Sequence, residues 1–190
     1  MPRSPAQFEA MRIASQEKII KSALKLFAQF GYKATTISMV ARDSGVSGGL
    51  VYAYYEDKEK LLDRVLFETF VKLDSLFAGP EIRLATALPL PERVDKAFEI
   101  VMGRMDCFQL LVQLMMQDGT PPQAIEEIKN LTMHCRNKLA GLFPEEAGRH
   151  LPSMIHAAVT SYMVYRNKDL LQQQWDAIRQ LSVTLQTRMG

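Results

Sequence analysis

Cysteine and tryptophan are scarce in this chain, with two of the first and one of the second in 190 residues. Cys107 and Cys135 make no disulfide framework, and their simplest reading is a pair of buried thiols. Long apolar runs are also missing, so no segment is fit to span a bilayer as a helix. The opening Met1-Pro2-Arg3-Ser4-Pro5 lacks the apolar core of a secretory signal, which leads to the expectation of a cytoplasmic protein. No paired carboxylates, glycine-rich phosphate loop or Ser/His/Asp set stands out, so an enzyme is not expected. His134, Cys135, His156 and Cys107 lack the C-x-x-C or H-x-x-x-H spacing of a metal site. No metal and no cofactor is therefore expected. The length is too short for a barrel of eight strand–helix units. At 47% apolar and 23% charged, the composition is too apolar and too evenly charged for disorder.

Net charge is only +2, but it is unevenly placed. Residues 1–60 hold 9 Lys/Arg against 6 Asp/Glu, and residues 61–190 hold 14 against 15. The positive excess sits at the N-terminal end, where it favours an anionic partner.

Proline is absent between Pro5 and Pro80, and apolar residues recur there at helical spacing. Ile19, Ile20, Ala23, Leu24, Phe27 and Phe30 form one stripe of a helix over about 15–30, and Gly31 follows as a stop. Lys18, Lys21 and Lys25 fall on another face, read as solvated. Thr35-Thr36 can cap a helix over about 36–43, which Gly45 ends; Ser47 can cap another over about 47–54. Two short helices joined by a glycine-containing turn make a helix-turn-helix. Asp57 can cap a helix from 58 to about 77 that is apolar on two sides, as a link between a head and a body would be. After a loop over 79–91 the pattern predicts helices over about 91–104, 106–117, 122–142, 152–166 and 169–188, with 144–151 as a short turn of helix. The expectation is an all-α chain of about nine helices. A three-helix head over 1–57 precedes a larger helical domain over 58–190.

The segments Phe27-Ala28-Gln29-Phe30-Gly31-Tyr32-Lys33-Ala34-Thr35-Thr36-Ile37, Val40-Ala41-Arg42-Asp43-Ser44-Gly45-Val46-Ser47 and Gly48-Gly49-Leu50-Val51-Tyr52-Ala53-Tyr54-Tyr55 are followed by Asp57-Lys58-Glu59-Lys60-Leu61-Leu62. In order and spacing they resemble the TetR family of bacterial one-component transcriptional regulators, over about residues 15–65. The resemblance implies that the helix at 47–54 enters the DNA major groove. It implies phosphate contacts for Thr36, Tyr52, Tyr54 and Lys58. It implies base-proximal positions for Arg42, Ser47, Gly48, Gly49 and Ala53. Thr35 and Lys58, at helix starts, also suit a phosphate on general grounds. The chain departs from the family at Gly48, where many members carry a basic or polar residue, and at Leu50, where many carry Ser or Thr. Leu50 has two readings: contact with a thymine methyl, or a turn into the core.

The C-terminal part diverges from the family beyond its length and helical pattern. Residues 107–117 carry no charge, and Gln109, Gln113 and Gln117 form one polar stripe. Two readings stand, a core helix with an uncharged side at the surface or a dimer edge, and the wall of a ligand pocket. The resemblance implies an inducer site here. Its candidate lining is Phe70, Phe98, Met102, Phe108, Leu111, Met115, Met133, His134 and Tyr162, and the effector is expected to be small and largely apolar. The last two helices (152–166 and 169–188) carry small residues at Ala157, Ala158 and Ser161. They also carry a stripe of Leu171, Trp175, Ile178, Leu181 and Leu185. These read as a homodimer interface or as intramolecular core. The overall expectation is a ligand-responsive regulator, a repressor by family default, binding palindromic double-stranded DNA as a homodimer away from any membrane. The alternative is a helical small-molecule-binding or scaffolding dimer that no longer binds DNA.

Overall fold

The computed structural model describes residues 4–189, and among these it is helical without a strand. The helices are α1 (Pro5–Ala34), α2 (Ile37–Ser44), α3 (Gly48–Tyr54), α4 (Lys58–Ser75), α5 (Pro80–Ala85), α6 (Leu90–Met102), α7 (Met105–Met116), α8 (Pro122–Ala140), α9 (Glu145–Gly148), α10 (Leu151–Tyr165) and α11 (Lys168–Met189). Eleven helical segments among the described residues thus stand where nine helices and a short turn were expected. The addition is α5, within the loop expected over 79–91, while α9 is the short turn of helix expected over 144–151; both are begun by proline or just after it. Proline stops the preceding helix but suits the first turn of the next.

α1 begins at Pro5, well before the apolar stripe that predicted it. Ser4 and Gln7 form a reciprocal cap: Gln7 N–H donates to Ser4 Oγ at 3.3 Å, and Ser4 N–H donates to Gln7 Oε1 at 2.9 Å. Residues 4–14 are exposed throughout, so the start of this helix stands clear of any core. At its other end Gly31 breaks the helical path with φ 79° and ψ 174°, a conformation reserved for glycine.

Two compact units emerge. The first runs through Thr69 and takes in Asp106–Ile128; the second comprises Phe70–Met105 and the chain from Lys129 onward. The unit holding the head therefore extends past residue 57 and includes α7. Its core comprises Ile19, Ala23 and Phe27 of α1, Val40 of α2, Val51 of α3, Leu61, Leu62 and Val65 of α4, and Leu110 and Leu114 of α7, all buried. Each Val, Leu, Ile or Phe of this set contributes about 1.5–3 kcal/mol. Truncating the fully buried Phe27 to alanine would cost about 3–5 kcal/mol. α4 passes from the first unit to the second at Thr69–Phe70.

In the second unit α6 lies against α10 and α11. Val94, Ala97, Ile155, Val159, Leu171, Trp175 and Ile178 are buried. The Leu171–Trp175–Ile178 part of the α11 stripe is thus core within the chain, while Leu181 and Leu185 are half-buried. Polar ties fix the register. Asp95 accepts from Trp175 Nε1 at 3.4 Å and from Arg179 Nε at 3.0 Å. Arg93 donates to the carbonyls of Leu88 at 2.7 Å and Leu142 at 3.2 Å. Cys107 in the first unit and Cys135 in the second are buried thiols outside any disulfide, as expected.

Candidate nucleic-acid interface

The turn between α2 and α3 is built from local rules. Thr36 caps α2, its hydroxyl accepting from Met39 N–H at 3.2 Å. Gly45 ends α2 in the left-handed region at φ 70°, and Val46 N–H returns to Ala41 O at 3.0 Å. Ser47 then caps α3, accepting from Leu50 N–H at 3.2 Å. Val51 and Tyr55 point into the core, and burial pushes the Tyr55 phenol up from its ordinary value. The opposite side of α3 consequently faces out: Gly49 and Ala53 are exposed, and Tyr52 is 57% exposed. Gly48, Leu50 and Tyr54 are half-buried at the edges of this face, with the Tyr54 ring edge-on to Tyr55 at 6.5 Å. Thr36, Arg42 and Ser47 are exposed on the neighbouring elements.

Two candidate residues behave differently from expectation. Thr35 is fully buried, and its hydroxyl donates to Gly31 O at 2.7 Å and Leu26 O at 3.2 Å. Its side chain is therefore a tie at the end of α1, not a phosphate donor, and it leaves the candidate set. Lys58 spends two of its three donors inward, on Tyr32 O at 2.9 Å and Thr35 O at 3.1 Å, and stands 4.2 Å above the Tyr32 ring. Burial pulls its pKa below the ordinary lysine value. Tyr32, to which no role was assigned, thus positions the ammonium. Its ring also packs on Phe27 at 5.9 Å. The adjacent glycine was the only local signal. Lys18 and Lys21 are exposed, as expected of a solvated face. Lys25 pairs with Asp43 at 2.6 Å, tying α1 to α2 and holding the Asp43 carboxyl below its usual range.

The glutamine stripe of α7 meets the head inside the first unit. Gln109 Nε2 approaches Ala28 O at 3.5 Å, and the Gln117 amide covers Gly31 so closely that a Cβ there would overlap Gln117 Oε1. Lys33 methylenes pack over Gly119, the left-handed residue after α7.

The proposed effector lining is divided between the units. In the first, Leu111 is buried, Phe108 half-buried and Met115 exposed. In the second, Met102 and Tyr162 are half-buried and Met133 exposed. Phe98 packs on Trp175 at 4.1 Å, and Phe70 packs on His134 at 5.1 Å. An open groove of about 430 Å³ lined by Pro89, Pro91, Val183, Gln186 and Thr187 includes none of the nine. His134 Nε2 meets Asp74 Oδ1 at 2.7 Å, with Lys138 Nζ 3.6 Å from the same oxygen. The His134 hydrogen bond, helped by the Lys138 charge, holds the Asp74 carboxyl below its usual range. Asp74 and Lys138 escaped sequence reasoning. Lys138 lies one helical turn from His134, but Asp74 lies on a different helix. Among the described residues no cluster of His, Cys, Asp or Glu suits a metal ion, and no helix is long and apolar enough to cross a membrane.

Residues 19–65 match the domain described as bacterial regulatory proteins, tetR family. The HTH-type transcriptional regulator YhgD of Bacillus subtilis (strain 168) is 31% identical over 121 residues, 62% of this chain and 61% of that protein. The HTH-type transcriptional repressor KstR2 of Mycolicibacterium smegmatis is 30% identical over 97 residues, 51% of this chain and 44% of that one. The chain thus spans less than two thirds of either relative. Among solved structures, the fatty acid degradation regulator FadR of Bacillus halodurans superposes with a TM-score of 0.64 at 19% identity, covering 96% of each chain. FadR of Bacillus subtilis, solved with stearoyl-CoA, gives 0.63 at 20% identity over 88% of this chain and 97% of that one. At such identities the likeness is one of fold.

Proposed function

We propose that this chain, whose residues 19–65 match the domain of the tetR family of bacterial regulatory proteins, is a cytoplasmic transcriptional repressor binding palindromic operator DNA as a homodimer, released by a small, largely apolar effector. The observation that carries this reading is the outward face of α3. Gly49, Tyr52 and Ala53 are exposed, as are Arg42 and Ser47, while Val51 and Tyr55 anchor the helix from behind. Such a face fits a groove, and hydroxyls at Thr36, Tyr52 and Tyr54 flank it as backbone contacts. In this reading Lys58 offers its remaining N–H to a phosphate.

Dimerisation would use the sides of α10 and α11 left open by the core, where Ala157, Val164, Tyr165 and Val183 are exposed. Two-fold symmetry then requires a palindrome. The effector would act on α7, whose Phe108, Leu111 and Met115 belong to the proposed lining and whose Gln109 and Gln117 touch α1. A coupling of about 1–3 kcal/mol would change DNA affinity roughly 5- to 150-fold. The stearoyl-CoA bound by one structural neighbour supports an acyl chain as the first effector to try.

Selection of bound duplexes from a random library, with and without stearoyl-CoA, tests the reading. An enriched palindrome supports it. With Arg42 and Lys58 from each protomer on phosphates or bases, log K should fall against log salt with a slope of about −4. Failure to enrich any sequence would favour the second reading, a ligand-binding dimer that has lost DNA recognition. The bare Gly48-Gly49 pair, with nothing within 4 Å of either added Cβ, is the observation that favours it.

A further inference from the structure

We infer that α3 reads its operator through the 5-methyl groups of thymine, with Ala53 as the specificity-determining contact. This rests on the DNA-binding reading above.

The side chains that read base edges by hydrogen bonds are chiefly Arg, Lys, Asn, Gln, Asp, Glu, Ser and Thr. From Gly48 to Tyr54 this helix carries none of them. Its outward residues are Gly49, with no side chain, Tyr52, with one hydroxyl at the end of a long ring, and Ala53, with one methyl. The half-buried Leu50 adds further hydrocarbon at the edge. Of the groups that base edges present in the major groove, only the thymine methyl is apolar. A methyl-bearing face therefore gains by meeting it and loses by meeting cytosine N4–H or guanine O6, which would be dehydrated without a partner.

The glycines supply the approach. Apart from the chain neighbours and the helix's own backbone, no heavy atom of the protein lies within 4 Å of a Cβ placed on Gly48 or Gly49, so both open to free space. A helix bare at these positions seats deeper than one bearing side chains, and a single methyl at Ala53 then reaches the base edge. Ser47 uses its oxygen to cap Leu50 N–H, which leaves it a donor and removes one acceptor lone pair from the reading face. Arg42, on α2, remains for a guanine or a phosphate beside the methyl contact.

The test uses the full chain and the duplex selected from the random library. Each half-site thymine is replaced in turn by deoxyuridine, which removes only the methyl. At the contacted position the wild-type protein should lose about fourfold in affinity per methyl, about 0.8 kcal/mol. Substituting the symmetric pair should cost roughly 15-fold by the same measure. Ala53→Ser, which keeps the helix and replaces the methyl, should bind the thymine and deoxyuridine duplexes alike. Equal wild-type affinity for every deoxyuridine duplex overturns the inference while leaving DNA binding intact. A variant that keeps the full thymine preference overturns Ala53 as the contact. Failure to select any duplex overturns the inference together with the reading beneath it.

Discussion

The side-chain amide of Gln117 lies directly on the Cα of Gly31, filling the place a β-carbon would take. Gly31 is also the residue where α1 breaks, and its carbonyl receives both the backbone N–H and the hydroxyl of Thr35. One glycine thus joins the end of α1, the entry to α2 and the end of α7 within a single unit.

Gly31→Ala should destabilise the protein by about 1–3 kcal/mol, because φ 79° with ψ 174° is closed to alanine. Pairing it with Gln117→Ala should recover only the part due to overlap. Urea unfolding of the two single variants and the double variant separates backbone strain from crowding, since a purely steric cost would vanish in the double variant.

Lys58→Met should lower the melting temperature without any DNA present, because the carbonyls of Tyr32 and Thr35 lose a charged donor. The expected loss is about 1.5–3 kcal/mol. Thermal melts of the free protein check it. A lysine serving phosphate alone would leave those melts unchanged.

The His134–Asp74 pair predicts an acid-side dependence. Asp74 is held below the usual carboxylate range by the His134 hydrogen bond and the Lys138 charge. Its stabilising contribution is therefore complete above that range and is lost as pH falls through the lowered folded-state value. His134→Ala should raise the Asp74 titration seen by carboxyl NMR. Below the ordinary carboxylate range the stability gap between wild type and variant should narrow as pH falls through the lowered Asp74 value; a gap that keeps widening there would contradict the assignment.

Tyr52→Phe and Arg42→Ala should part company. Loss of the Tyr52 hydroxyl should weaken selected and scrambled duplexes alike, by about 0.5–1.5 kcal/mol. Arg42→Ala should weaken the selected duplex more than the scrambled one, by about 1–3 kcal/mol. Binding isotherms on the two duplexes decide both.

What could be read along the chain was whatever is decided within a few residues. The caps at Thr36, Ser47 and Asp57 and the left-handed Gly45 stand where local rules put them. The Ser4–Gln7 cap was missed because the apolar stripe, the stronger signal, fades before Ile19, and the helix continues without it. Contacts between distant residues left no local mark. Lys58 meets carbonyls 26 and 23 residues upstream, and Asp74 meets a histidine 60 residues downstream. Thr35 shows the same limit from the other side. Its neighbour Thr36 is an exposed cap of identical chemistry, and only the break at Gly31 turns Thr35 inward.

The exposed opening of α1, residues 5–14, buries no side chain in the core. A free helix of that length is marginal in water, because starting the first turn is unfavourable. Its order must spread backward from the anchor at Ile19 and Ile20, with the Ser4 cap and the Glu9–Arg12 pair slowing its unravelling at the tip. Amide hydrogens along it should exchange in a gradient, fastest near Pro5 and slowest toward Ile19, like a rope held at one end.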